Sequence, residues 1–98
     1  MNDPANDDVI DELVRCREEI ERIDDQLVGL LAARLAAARR TGALKREAEL
    51  PVVDPLREAE VIRRVAESAR AAGLPSEPIR EIFWQIVEMS RRSQEAES

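Results

Sequence analysis

From Asp7 to Glu47 the chain contains no proline, and only Gly29 and Gly42 weaken the case for one uninterrupted helix. About 40 residues rising 1.5 Å each make a rod of roughly 60 Å. A compact domain of about 100 residues has a radius of gyration of only about 13 Å. Prolines at 51, 55, 75 and 78 delimit two shorter helical segments. Asp54 and Pro55 suit the start of one, running from about Pro55 to Ala72 and stopping at Gly73, a C-cap glycine. Ser76 suits the N-cap of the other, running from about Glu77 to near Glu95. No segment alternates with period two, so no strand is expected. Two short helices cannot cover both ends of the rod, and a second copy of the chain is the simplest cover. The expected fold is therefore all-α: a three-helix chain with one very long first helix, forming an intertwined helical-bundle homodimer. Residues 1–98 read as a single domain, with 1–7 and 96–98 as frayed termini.

Composition narrows the chemistry. The 98 residues carry 21 acidic and 15 basic side chains, a net charge of -6, which argues against a nucleic-acid or membrane binder. There is no long apolar run, and the acidic opening "MNDPANDD" is unlike a signal peptide. Cys16 is the one cysteine, a packing residue rather than a nucleophile, and a reduced cytoplasmic setting fits. With no histidine or tyrosine, histidine-dependent triads and the common histidine-containing metal sites are excluded. A single cysteine also rules out a four-cysteine zinc site, so no metal site is expected. An enzyme with this inventory positions and stabilises charge rather than shuttling protons.

Polar residues interrupt the apolar stripes. At 100° per residue, Val9, Leu13, Ile20, Leu27, Leu31 and Ala38 share one side of the first helix. Arg34 and Lys45 project within that stripe and Arg17 lies at its edge. On the second helix the row Ile62, Val65, Ala69 runs back to Glu58. On the third, Ile79, Ile82, Phe83 and Ile86 continue into Ser90 and Gln94. Buried charge needs partners, and a pair of Glu58 with Arg34 or Lys45 is the plain reading of any single residue. For the set, four inward cations (Arg17, Arg34, Lys45, Arg57) outnumber the inward anions (Asp24, Asp54, Glu58). A small dianionic ligand resolves the mismatch. Arg34 and Lys45 are roughly 16 Å apart along the helix and can close on such a ligand. Arg17 is about 25 Å from Arg34 on the same rod, too far to reach that ligand comfortably, whereas the Arg17 of an antiparallel partner could. Trp84 falls off the stripe and suits a helix or subunit contact. Arg39–Arg40 and Arg91–Arg92 read as solvated faces.

From about Leu13 to Gln94 the chain resembles the all-helical (AroQ-class, type II) chorismate mutases. "CREEIERIDDQLVGLLAAR" resembles the family's first-helix motif, with Arg17 and Arg34 at its functional arginines. "TGALK" places Lys45, "DPLREAE" places Asp54, Arg57 and Glu58, and "IFWQIVEMSRRSQ" places Ser90 and Gln94. The resemblance implies an intertwined dimer with two active sites, each receiving Arg17 from the partner subunit. It implies the Claisen rearrangement of chorismate to prephenate, in phenylalanine and tyrosine biosynthesis, with no cofactor. It assigns the two substrate carboxylates to Arg17, Arg34 and Ser90, the ring hydroxyl to Glu58 with Asp54 nearby, and the ether oxygen to Lys45 and Gln94. Arg57 adds positive charge. Lys45, Gln94, Arg34 and Glu58 are the expected catalytic residues. A partner enzyme of the shikimate pathway is a further expectation.

Three alternatives share these features. Isochorismate-pyruvate lyases have the same fold but lack the glutamate and serine found here at 58 and 90. A 4-amino-4-deoxychorismate mutase would also suit Glu58. The third is a non-catalytic dimeric helical module, or a regulatory partner of another pathway enzyme.

Overall fold

The computed structural model describes residues 4–96, and their architecture is all-α. Helix α1 spans Pro4–Glu47, α2 spans Pro55–Ala71 and α3 spans Ser76–Ala96. The 44-residue α1 begins three positions before the expected Asp7. Proline suits a first helical turn because it has no N–H to leave unpaired, and Asp7 adds negative charge to that turn. Residues 4–7, expected to fray, are therefore helical, as is Ala96. The rest of the expected fraying, at residues 1–3 and 97–98, lies outside the described residues.

Helices α1 and α2 end in the same hydrogen-bonded turn. At the end of α1, Leu50 N–H donates to the Lys45 carbonyl at 2.8 Å and Glu49 N–H to Arg46 at 3.1 Å. At the end of α2, Leu74 donates to Ala69 at 2.8 Å and Gly73 to Arg70 at 3.1 Å. Both are Schellman motifs, which need a left-handed residue after the cap. Gly73 supplies it at φ 75°, whereas α1 uses Glu49 at φ 59°. The start of α2 is as read from the sequence: Asp54 is the N-cap, its side chain accepts from Arg57 N–H, and Pro55 opens the first turn. Ser76 differs. It is the first residue of α3 rather than its cap, and Ile79 N–H reaches the Pro75 carbonyl at 3.4 Å.

The chain divides into two units, up to Ala33 and from Arg34 onward. In the second, α2 packs on α3. Ile62, Ala66, Ala69 and Val87 form the buried apolar centre, with Ser90 the buried polar residue. Two stripe assignments change here. Ile82 is half-exposed, and Val87, one position beyond Ile86, is buried in its place. Trp84 is 45% exposed, beside a groove lined by Ile62 and Ala66 and by Arg63, Arg70 and Arg80. In the first unit every described side chain except the half-buried Leu31 is exposed, including Leu13, Ile20, Leu27 and Cys16. No helix among the described residues is long and apolar enough to cross a membrane.

Candidate active site

The site lies in the second unit, and the side chains of Lys45, Arg34 and Gln94 are each tethered by one donated bond. The turn after α1 folds back so that Lys45 Nζ donates to the Val52 carbonyl at 3.1 Å. An ammonium has three protons, so two stay available. Arg34 Nη1 donates to Ser90 Oγ at 2.6 Å, and Ser90 Oγ donates to the Ile86 carbonyl at 3.0 Å. The serine hydroxyl thus orients Arg34 and directs its own proton to its helix. Gln94 Nε2 donates to the Ala38 carbonyl at 3.0 Å, leaving one amide proton. Arg46 Nη1 holds the Gln94 carbonyl at 3.0 Å, and Arg39 Nε reaches Ser93 Oγ at 2.7 Å, so α1 and α3 are laced together around Gln94.

Gly42 explains how Gln94 gets so close. It is the buried residue of α1. A Cβ there would stand 3.1 Å from Gln94 Cγ and 3.2 Å from Gln94 Cβ, closer than most carbon contacts. The glycine weakens helix propensity but opens the space in which Gln94 lies against α1.

Lys45, Arg34, Ser90 and Gln94 surround one cavity of about 350 Å³. Arg34, Lys45, Asp54, Arg57, Glu58, Ser90 and Gln94 all line it, seven of the eight substrate-site positions expected from the sequence. Arg17 is exposed, belongs to the first unit and is not among the lining residues. Asp54 is largely committed to capping α2, its Oδ1 accepting from Arg57 N–H at 3.1 Å. The Arg57 guanidinium reaches Glu60 at 3.4 Å in an exposed pair, a contact of small energetic weight.

Glu58 does not pair with Arg34 or Lys45. Its partner is Arg91: Arg91 Nε donates to Oε2 at 3.0 Å and Nη2 to Oε1 in a close contact. Arg91 also lines the cavity, so the Arg91–Arg92 doublet is not a plain solvated face. Arg92 alone fits that reading, pairing with Glu88 one turn away. The signal for Arg91 lies in spacing. Val87, Ser90, Arg91 and Gln94 stand at i, i+3, i+4 and i+7, one face of a helix. The hydrogen bond and charge of Glu58 raise the Arg91 pKa above its ordinary value; desolvation opposes them by less, and Glu95 and Glu88 raise it by less again. Four cations (Arg34, Lys45, Arg57, Arg91) and two anions (Asp54, Glu58) therefore face one cavity, an arrangement suited to a small dianion.

The sequence matches the chorismate mutase type II family over residues 16–95. The chain belongs to that family. Among similar proteins, the bifunctional chorismate mutase/prephenate dehydratase of Aquifex aeolicus is 35% identical over 81 residues, covering 80% of this chain and 22% of the relative. The "T-protein" of Enterobacter agglomerans is 30% identical over 86 residues, covering 88% and 23%. A protein of Pyrobaculum aerophilum named 3-dehydroquinate dehydratase is 35% identical over 78 residues, covering 80% and 22%. The chain thus spans less than a quarter of the length of these relatives. The matched stretch takes in all eight expected site positions, from Arg17 to Gln94.

Proposed function

We propose that the chain is a chorismate mutase, catalysing the Claisen rearrangement of chorismate to prephenate for phenylalanine and tyrosine biosynthesis. The observation that carries this reading is the convergence of Arg34, Lys45, Glu58, Ser90 and Gln94 on one cavity in a member of this family. The reaction is pericyclic: one C–O bond breaks as one C–C bond forms, with no proton transferred. The work left to the protein is conformational and electrostatic. Arg34, oriented by Ser90, and Arg17 of a second copy grip the two carboxylates and fold the enolpyruvyl arm over the ring. Lys45 and Gln94 present their free protons to the ether oxygen, which gains negative charge as the C–O bond lengthens. Donors aimed there bind the transition state more strongly than the ground state. Because both are tethered beforehand, little reorganisation accompanies the step. Glu58, with Asp54 nearby, takes the ring hydroxyl, and Arg57 adds to the positive field.

The site is completed in a homodimer, and a cytoplasmic setting belongs to the same reading. The fused relatives support a further element, cooperation with another enzyme of the shikimate pathway. The presence of both Glu58 and Ser90 favours mutase over isochorismate-pyruvate lyase. The deciding assay follows prephenate and pyruvate from chorismate and from isochorismate with the purified protein. Prephenate from chorismate is the expected result, with little pyruvate from either. Glu58→Ala should lose roughly 1–3 kcal/mol of transition-state stabilisation, about one to two orders of magnitude in kcat/KM. Efficient pyruvate release from isochorismate with chorismate untouched would make the chain a lyase.

A further inference from the structure

Arg91 has no part in the chemistry just described, yet both of its bonding nitrogens face the Glu58 carboxylate inside the cavity. The contact is not a loose surface pair. The Glu58 side chain is 16% exposed and that of Arg91 37%, and the pairing is bidentate, the geometry in which arginine fixes a carboxylate in orientation as well as charge. Arg57, the cation of α2 that lines the cavity, turns instead to Glu60 at the exposed surface.

We propose that Arg91 is a specificity-determining residue: by neutralising Glu58 it makes the carboxylate an acceptor for an uncharged ring hydroxyl and turns away substrates with an ammonium at that position. The inference rests on the mutase reading and narrows its substrate class. An ionised carboxylate has about four acceptor sites, and a bidentate arginine occupies one on each oxygen. A hydroxyl needs only one of those that remain and brings no charge. An ammonium in the same place meets a carboxylate already neutralised and a guanidinium only a few ångströms away. Without Arg91, Glu58 would be an unpaired anion and would prefer the ammonium. Charge counting over the cavity agrees. With Arg91 the lining residues of this chain carry two more positive than negative charges, and Arg17 of a second copy adds a third, a field that holds a dicarboxylate dianion more strongly than a monoanion. The 4-amino-4-deoxy analogue of chorismate, its amine protonated near neutral pH as alkyl amines are, is a net monoanion. Specificity is a difference of two affinities, and Arg91 acts mainly by weakening the unwanted one.

The test compares kcat/KM for chorismate and for 4-amino-4-deoxychorismate in the full chain, in Arg91→Gln and in Arg91→Lys. The unaltered protein should favour chorismate by about tenfold or more, and Arg91→Gln should shift the ratio toward the amino substrate by about tenfold, chiefly through its KM. Arg91→Lys keeps the charge but not the two-point grip. It should hold the ratio while lowering kcat for chorismate. An unchanged ratio in Arg91→Gln, a ratio in Arg91→Lys that moves as far as in Arg91→Gln, or an unaltered protein that prefers the amino substrate would each overturn the proposal. Activity on chorismate with an unmoved Arg91→Gln ratio removes only this inference. Absence of turnover with both substrates removes the mutase reading and the inference together.

Discussion

Gln94 gives one amide proton to the Ala38 carbonyl and keeps the other for the cavity. An amide does not titrate, so that donation persists across the neutral range. Gln94→Glu should make activity pH-dependent. A carboxyl donates only while protonated, so rates should rise as pH falls toward the ordinary glutamate range of about 4–5 and drop at neutral pH, where a carboxylate would face the ether oxygen. A pH–rate profile from about 5 to 8, beside the flat profile expected of the unaltered protein, checks this; coincident profiles would remove Gln94 from the ether contact. Individual residues differed in how legible they were. Arg34, Lys45, Glu58, Ser90 and Gln94 could be placed from helical phase because charge and amide on an apolar stripe demand a partner. Arg91 had the right phase, four residues after Val87, but the adjacent Arg92 made the pair look like an exposed doublet. Gly42 looked like a flaw in a helix, because the close approach of Gln94 is a tertiary fact.

The elements were read most easily where their ends are set by local chemistry. Asp54 with Pro55, and Gly73, mark the two ends of α2 in the sequence and again in the structure. Ser76 misled because a cap-forming residue type can equally sit in the first helical turn. Ile82 and Val87 exchanged places because apolar residues almost encircle α3, and only packing against α2 selects the buried face. The shared turn at the ends of α1 and α2 allows a paired prediction. Nothing lies within 4 Å of a Cβ built on Gly73, so Gly73→Ala meets only the backbone penalty of φ 75°. It should cost about 1 kcal/mol, a fall of roughly 4–8 °C in midpoint for a domain this size. Glu49→Gly relieves the same penalty at φ 59° and should gain several tenths of a kcal/mol, less than Gly73→Ala loses because glycine also loosens the unfolded chain. Thermal and urea unfolding read both; shifts in the same direction would contradict the turn assignment.

At the scale of the whole molecule, Arg17 carries the sharpest test. If it serves a second copy's cavity, Arg17→Ala and Arg34→Ala should each be nearly inactive alone. Mixed, unfolded and refolded together, they should recover activity, because one of the two sites in a heterodimer keeps both arginines. Verified heterodimers without recovery would place both arginines in service of one chain. Sequence reasoning reached Arg17 through distance along a helix. It could not show how a second copy would be seated, since that depends on faces that a single chain leaves uncovered. Those faces are extensive: Val9, Leu13, Ile20, Leu27 and Leu30 are all about half-exposed or more in the first unit. Side chains of this kind leave water only when something arrives to cover them. If the cover is a second copy, folding is completed by collision, and its late phase is second order. The rate would rise with the amount of protein present, and the unfolding midpoint would move with it.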